Sequence, residues 1–293
     1  RCLNYTVVKP LITFLLLVHF LSASTFVKAK VQLPSILSSN MVLQQHTNVK
    51  LWGKAQKNSP ITIKTSWDNK TYKTIADKQG KWLLNISTPV AGGPYEITFN
   101  DGELLTLKNI LIGEVWFCSG QSNMEMPMSG FDRQPTQGTN DVIAKAKAST
   151  PIRIYNTDSK DGKWIRQFSK TPEEDCKGEW LENTPVNVSH TSATAYFFAQ
   201  YLQEVLEVPV GIIISSLGGS KVEAWMSREA ITPFKSIDLS ILNNNEPIKN
   251  ITATPCVLYN SKIAPFTNFT IKGFLWYQGE SNRDNVDLDK DLM

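Results

Sequence analysis

Three short polar stretches bring hydroxyls, glycines and side-chain amides together: Ser119-Gly-Gln-Ser-Asn123, Ser215-Ser-Leu-Gly-Gly-Ser220 and Gln278-Gly-Glu-Ser-Asn282. Each directly follows an apolar run with the character of a buried strand. A serine hydroxyl flanked by glycine backbone and amide donors suits acyl transfer, in which the oxygen attacks a carbonyl and hydrogen-bond donors hold the resulting oxyanion. Losing one such donor costs on the order of 100- to 1,000-fold in rate, so the amides matter as much as the nucleophile. Gly, Ser and Asn are also ordinary turn residues. What points to a site is their recurrence at three strand ends.

The elements behind these turns read as α/β. Runs at Ile110 to Cys118, Val210 to Ile214 and Ile271 to Tyr277 read as buried strands, and Ile152 to Tyr155 as a further strand. Asp141 to Lys147 and Ser192 to Leu206 carry helical spacing, with Ser192 placed to cap the second. Strand and helix in alternation predict a parallel sheet with helices on its faces, and such sheets bind ligands beyond the carboxyl ends of their strands. If the three strands are neighbours, the three turns meet at one edge.

The chain before this region keeps a different period. Residues 30–108 hold short β-rich runs, such as Ile61 to Thr65, Trp82 to Ile86 and Tyr95 to Phe99, separated by turn signals at Gln79-Gly80, Gly92-Gly93-Pro94 and Asp101-Gly102. This predicts a small all-β sandwich ahead of the α/β region at 109–293. Residues 1–29 place Arg1 and Lys9 before an apolar run and then small residues, the layout of a signal peptide directing export; the run is too short to span a membrane. A net charge of +3, with 30 basic and 27 acidic residues scattered along 293, offers no basic stripe for nucleic acid. Of the four cysteines, Cys2 lies in the leader and Cys118 reads as a small buried hydrophobe, leaving one bridge open between Cys176 and Cys256.

GEVWFCSGQSNM, SSLGGSKVEAW and GFLWYQGESN, with flanking MVLQQ, AGGPYEITF and LYNSKIAPF, resemble the sialate O-acetylesterase family of SGNH-type carbohydrate esterases. The resemblance covers Val31 to about Asn282 and implies an SGNH-hydrolase-like sheet. It implies Ser122 as nucleophile and an oxyanion hole formed by the N–H groups of Ser122 and Gly219 with a side-chain amide from Gln278 or Asn282. Gln121, Asn123, Gly218 and Glu280 would support them, and Ser119 would be a structural turn residue. The implied partner is an O-acetylated carbohydrate, sialic acid or a glycan, handled without a metal or organic cofactor; an acetylxylan esterase of related fold shares all three blocks.

In the family the base is a histidine within a later Asp-x-x-His. The histidines here are His19, His46 and His190, all before the third block. His190 reads as a surface residue at a helix entry, and Asp284, Asp287, Asp289 and Asp291 as a solvated charge run. The expectation is a C-terminally shortened esterase without its catalytic Asp and His, or else a non-catalytic carbohydrate-binding form.

Overall fold

The computed structural model describes residues 30–157, 159–160 and 163–283. The leader at 1–29 and the aspartates from Asp284 onward lie outside the described residues.

The fold is mixed α/β. The first strands are β1 (Val42–Gln44), β2 (Asn48–Lys54), β3 (Pro60–Thr65), β4 (Thr71–Ile75), β5 (Lys81–Ser87) and β6 (Gly92–Asn100), followed by β7 (Leu104–Gly120). Then come helices α1 (Ser122–Glu125) and α2 (Thr139–Lys145), strand β8 (Ile152–Asn156), the short β9 (Ser159–Lys160) and β10 (Lys163–Trp164), and β11 (Glu179–Glu182). Helices α3 (Pro185–Ser189) and α4 (Ala193–Leu206), strand β12 (Val210–Ser216), helix α5 (Arg228–Ile231) and strand β13 (Gly273–Tyr277) complete the series. Ser192 caps α4 as its sequence position suggested, its hydroxyl accepting from the Ala195 N–H at 3.2 Å.

Strand β7 organises the rest. Its first half pairs antiparallel with β6, and β1 lies parallel beside Leu111 to Gly113. Its second half takes parallel partners on both sides, β12 from Glu114 to Gly120 and β13 from Trp116 to Gly120. Beyond β12 lies β8, also parallel, and then β11, antiparallel at the edge. The separate strand expected at Leu104 to Leu107 is thus the beginning of β7, which runs unbroken past Lys108.

Packing follows this continuity. One apolar cluster joins Leu51, Ile61 and Phe99 of the early strands to Phe117, Tyr155, Ile213 and Phe266 of the later region. A second, containing Cys118, Met124, Ile154, Ile212, Ala195 and Tyr196, fills the space between the sheet and α4. Strands β8 and β12 are buried throughout, the polar Arg153 and Asn156 of β8 included.

Strand β13 departs from expectation. Its sequence predicts a fully buried strand, yet Phe274, Trp276 and Tyr277 are 46%, 40% and 46% exposed. The reason is position: among the described residues β13 pairs only with β7, so it is an edge strand. The bridge left open between Cys176 and Cys256 is not formed, and both thiols, with that of Cys118, are free and buried.

Gly120 marks where β7 must end. Its φ is +143°, and a Cβ there would lie 2.1 Å from the Tyr277 carbonyl oxygen. Only glycine accepts both constraints. Gly120→Ala should therefore cost roughly 3 kcal/mol, read as a lowered urea midpoint; an unchanged midpoint would show that the β7–β13 contact is not needed.

Candidate active site

Strand register brings the three turns together. Ser119 and Gly120 stand opposite Ser215 and Ser216 of β12 and opposite Trp276 and Tyr277 of β13. The three strands therefore end level, and the chain leaves all of them at one edge. The connections after β7 and β12 reach opposite sides of β7, which makes this a switch point in strand order, the usual place for a ligand crevice.

Ser122 opens α1. The Gln121 carbonyl accepts from the N–H groups of Met124 and Glu125, and Pro127 stops the helix after one turn by forcing Met126 into an extended conformation. The Ser122 side chain is half-buried, and among the described residues its hydroxyl has no hydrogen-bond partner. Its N–H is also unpaired, as expected at the start of a helix.

Each turn is tied to the other two. The Gln121 N–H donates to the Tyr277 carbonyl at 2.9 Å, the Gln121 Oε1 accepts from the Ser281 N–H at 3.2 Å, and Asn123 Nδ2 donates to Glu280. Leu217 N–H donates to the Gly120 carbonyl at 3.1 Å, and Gly218 N–H donates to Glu125 Oε2. Gln278 Nε2 donates to the Ser220 carbonyl at 3.2 Å and to Asn282 Oδ1 at 2.6 Å. Asn282 completes the frame by accepting from the Val222 N–H and donating to Glu223 Oε2, both at 3.0 Å.

These bonds sort the candidate donors. The Gly218 N–H is occupied, and a Cβ on Gly218 would sit 3.7 Å from the Ser122 Cβ and 2.5 Å from Glu125 Oε2, so the turn passes close over the serine. Gly219, in the left-handed region at φ +70°, is exposed, and its N–H has no partner among the described residues. Both N–H groups of Gln278 face acceptors, while its Oε1 is buried without a partner. Asn282 is 2% exposed and spends its amide on holding the second turn. Ser119 lies inside β7, fully buried, its hydroxyl unpaired among the described residues.

Several participants were not singled out in the sequence. Glu125 is buried and accepts from Arg166 Nη1 at 2.8 Å as well as from Gly218. Glu223, equally buried, receives Asn282. Trp225 Nε1 donates to Ser220 Oγ at 2.8 Å. A signal for both acids was present: each is a lone carboxylate in an otherwise apolar run, MEMPM and VEAW, where an unpaired charge would be costly.

The alternatives stand aside. Burial pushes the Cys118 thiol far above its ordinary range, so it is no thiolate nucleophile. His190 is exposed at the C-terminal cap of α3, and no hydrogen bond joins it to Ser122. His46 is exposed next to Gln45, whose N–H meets the Gly113 carbonyl. That is the far end of the parallel sheet, about 23 Å from Gly120 along β7. Arg133 projects into solvent beside Asp132.

A family model described as "Carbohydrate esterase, sialic acid-specific acetylesterase" matches residues 112–291, which take in all three turns. The chain belongs to this acetylesterase family. Over 87% of its length it is 27% identical to the sialate O-acetylesterases of Pongo abelii and Homo sapiens, and it spans 50% of each of them. A crystal structure of a carbohydrate acetylesterase from Xanthomonas citri superimposes with a TM-score of 0.72 at 31% identity, covering 86% of this chain and 52% of that one. The chain thus spans about half the length of these acetylesterases.

Glu125→Ala would leave the Gly218 N–H without its acceptor and remove the Arg166 partner. The expected cost is about 1–3 kcal/mol in urea unfolding, with amide-exchange protection lost at Gly218 but kept in β12. Retained protection at Gly218 would show that Glu125 does not hold the second turn.

Proposed function

We propose that this protein is a serine esterase that removes O-acetyl groups from carbohydrate, with O-acetylated sialic acid as the preferred substrate. The observation that supports it is the meeting of three polar turns around Ser122, whose hydroxyl and N–H are unpaired among the described residues and whose Cβ lies 3.7 Å from where a Cβ on Gly218 would sit. In this reading Ser122 Oγ attacks the acetyl carbonyl, and the N–H groups of Ser122 and Gly219 stabilise the oxyanion. Gln278 and Asn282, whose amide N–H groups are engaged in the frame, hold the turns in register with Gln121, Asn123, Gly218 and Glu280, and a side-chain amide would join the oxyanion hole only if Gln278 released the Ser220 carbonyl or Asn282 Oδ1. Collapse of the tetrahedral intermediate expels the sugar hydroxyl and leaves an acetyl-enzyme, which water hydrolyses. Written this way, the reaction uses no metal or organic cofactor.

A serine hydroxyl needs a base to take its proton. In this reading the base is the histidine of the family's Asp-x-x-His, in a form of the protein that carries it. The fold is of the SGNH-hydrolase type, with the early strands packed on it as an accessory β-sandwich. The leader directs the protein out of the cytoplasm.

The test uses a form extended through the Asp-x-x-His. Ser122→Ala should reduce acetate release from O-acetylated sialic acid by at least about 1,000-fold and abolish fluorophosphonate labelling, with an unchanged circular dichroism spectrum. Undiminished turnover would refute the nucleophile assignment. Acetate release from acetylated xylan alone would move the substrate to a plant polysaccharide, and a folded protein inert to both would make it a carbohydrate-binding form.

A further inference from the structure

Strand β13 leaves an edge unlike the others of its sheet. The outer strands β4 and β11 carry charges that discourage further pairing, Lys73 in one and Glu179 and Glu182 in the other. Gly273-Phe-Leu-Trp-Tyr277 has no charge, no proline and no bulge, and its aromatic rings at Phe274, Trp276 and Tyr277 all stand exposed. An edge of this kind invites another strand. We infer that β13 pairs antiparallel with β13 of a second copy of this chain, joining two sheets across a two-fold axis at Leu275.

Backbone polarity limits the register. The Tyr277 carbonyl is turned inward, where it accepts from the Gln121 N–H at 2.9 Å, so the alternation of a strand turns the peptide groups of Phe274 and Trp276 outward. No strand among the described residues meets them there. Antiparallel pairing satisfies these groups only when outward residues stand opposite outward residues, and full overlap of the strand then centres the axis on Leu275. Phe274 falls opposite Trp276 of the second copy, and each such pair exchanges both N–H···O=C bonds.

Side chains make the strand complementary to itself in this register. On one face Phe274 meets Trp276 of the second copy, an aromatic cross-strand pair made twice by symmetry. On the other, Tyr277 meets Gly273, where the Trp116 ring already lies across the glycine, so close that a Cβ there would come within 2.4 Å of Trp116 Cζ3. The tyrosine therefore packs on an indole rather than over a gap. Charge agrees with the antiparallel sense: Lys272 stands exposed before the strand and Glu280 exposed after it, so the basic end of one copy approaches the acidic end of the other. The three rings leave roughly 250 Å² of aromatic surface per copy. With the strand backbone and Leu275, the interface totals on the order of 1,000 Å², the low end for specific association, which predicts a weak dimer.

The experiment is sedimentation velocity of the intact chain over a concentration series reaching about 200 μM, with a monomer–dimer equilibrium of Kd on the order of 10 μM expected. Trp276→Lys, which places a charge on the edge, should weaken it at least about tenfold while the circular dichroism spectrum stays the same. Register is read by mild oxidation. Leu275→Cys should cross-link to its own copy far beyond the background of the parent chain, because residue 275 alone faces itself across the axis, whereas Phe274→Cys should not. Cys118, Cys176 and Cys256 are buried and do not compete. A parent chain that stays monomeric throughout, assemblies that grow beyond the dimer, or a Phe274→Cys protein that cross-links as well as Leu275→Cys would each overturn the inference; the parent sedimentation decides the first two even where a variant fails to fold.

Discussion

The site depends on the hydrogen-bonded register between β7 and its two parallel neighbours. Because β12 and β13 both pair with the last residues of β7, three segments far apart in sequence reach the same edge at the same height. A slip of one residue in either pairing would turn every side chain of that strand to the opposite face and carry its turn away from Ser122. Gly120, pressed against the Tyr277 carbonyl, allows the strands to close this tightly.

Backbone register sets the height of the turns; buried polar groups set their shape. Glu125 reaches from the first turn to the second, Asn282 and Gln278 from the third to the second, and Gln121 from the first to the third. Closing that triangle takes up most of the donors that sequence alone would have offered to an oxyanion. The Gly218 N–H and the Asn282 amide are used to hold the frame, and the N–H groups of Ser122 and Gly219 remain unpaired. Rigidity of this kind fits a catalytic site, because donors already held in place need not reorganise during the reaction.

The same continuity joins the early strands to the rest. Phe99 and Phe117 belong to one apolar cluster, and β7 passes through both regions without a break. A displacement of the early sheet therefore bears on the strand that leads into Ser122. Along this seam lies a cavity walled by β2 and β5 and by segments of the later region.

Much of this was legible in the residues. The alternation of strand and helix after Ile110, the cap at Ser192 and the turns follow from local rules: side-chain period, glycine at turns, a hydroxyl that accepts from a helix N–H; Ser122 as nucleophile candidate came from the family resemblance. The pairing partners were not legible, because a strand's sequence encodes its own faces and not which distant strand lies beside it. That is why Ile271 to Tyr277 read as a buried strand and proved to be an edge, and why the run at Leu104 merged into β7. It is also why the lone acids Glu125 and Glu223 stayed unread. The sequence by itself determined the turn chemistry; only the tertiary structure decided which amides stay free, since a donor's availability depends on what the rest of the chain folds against it.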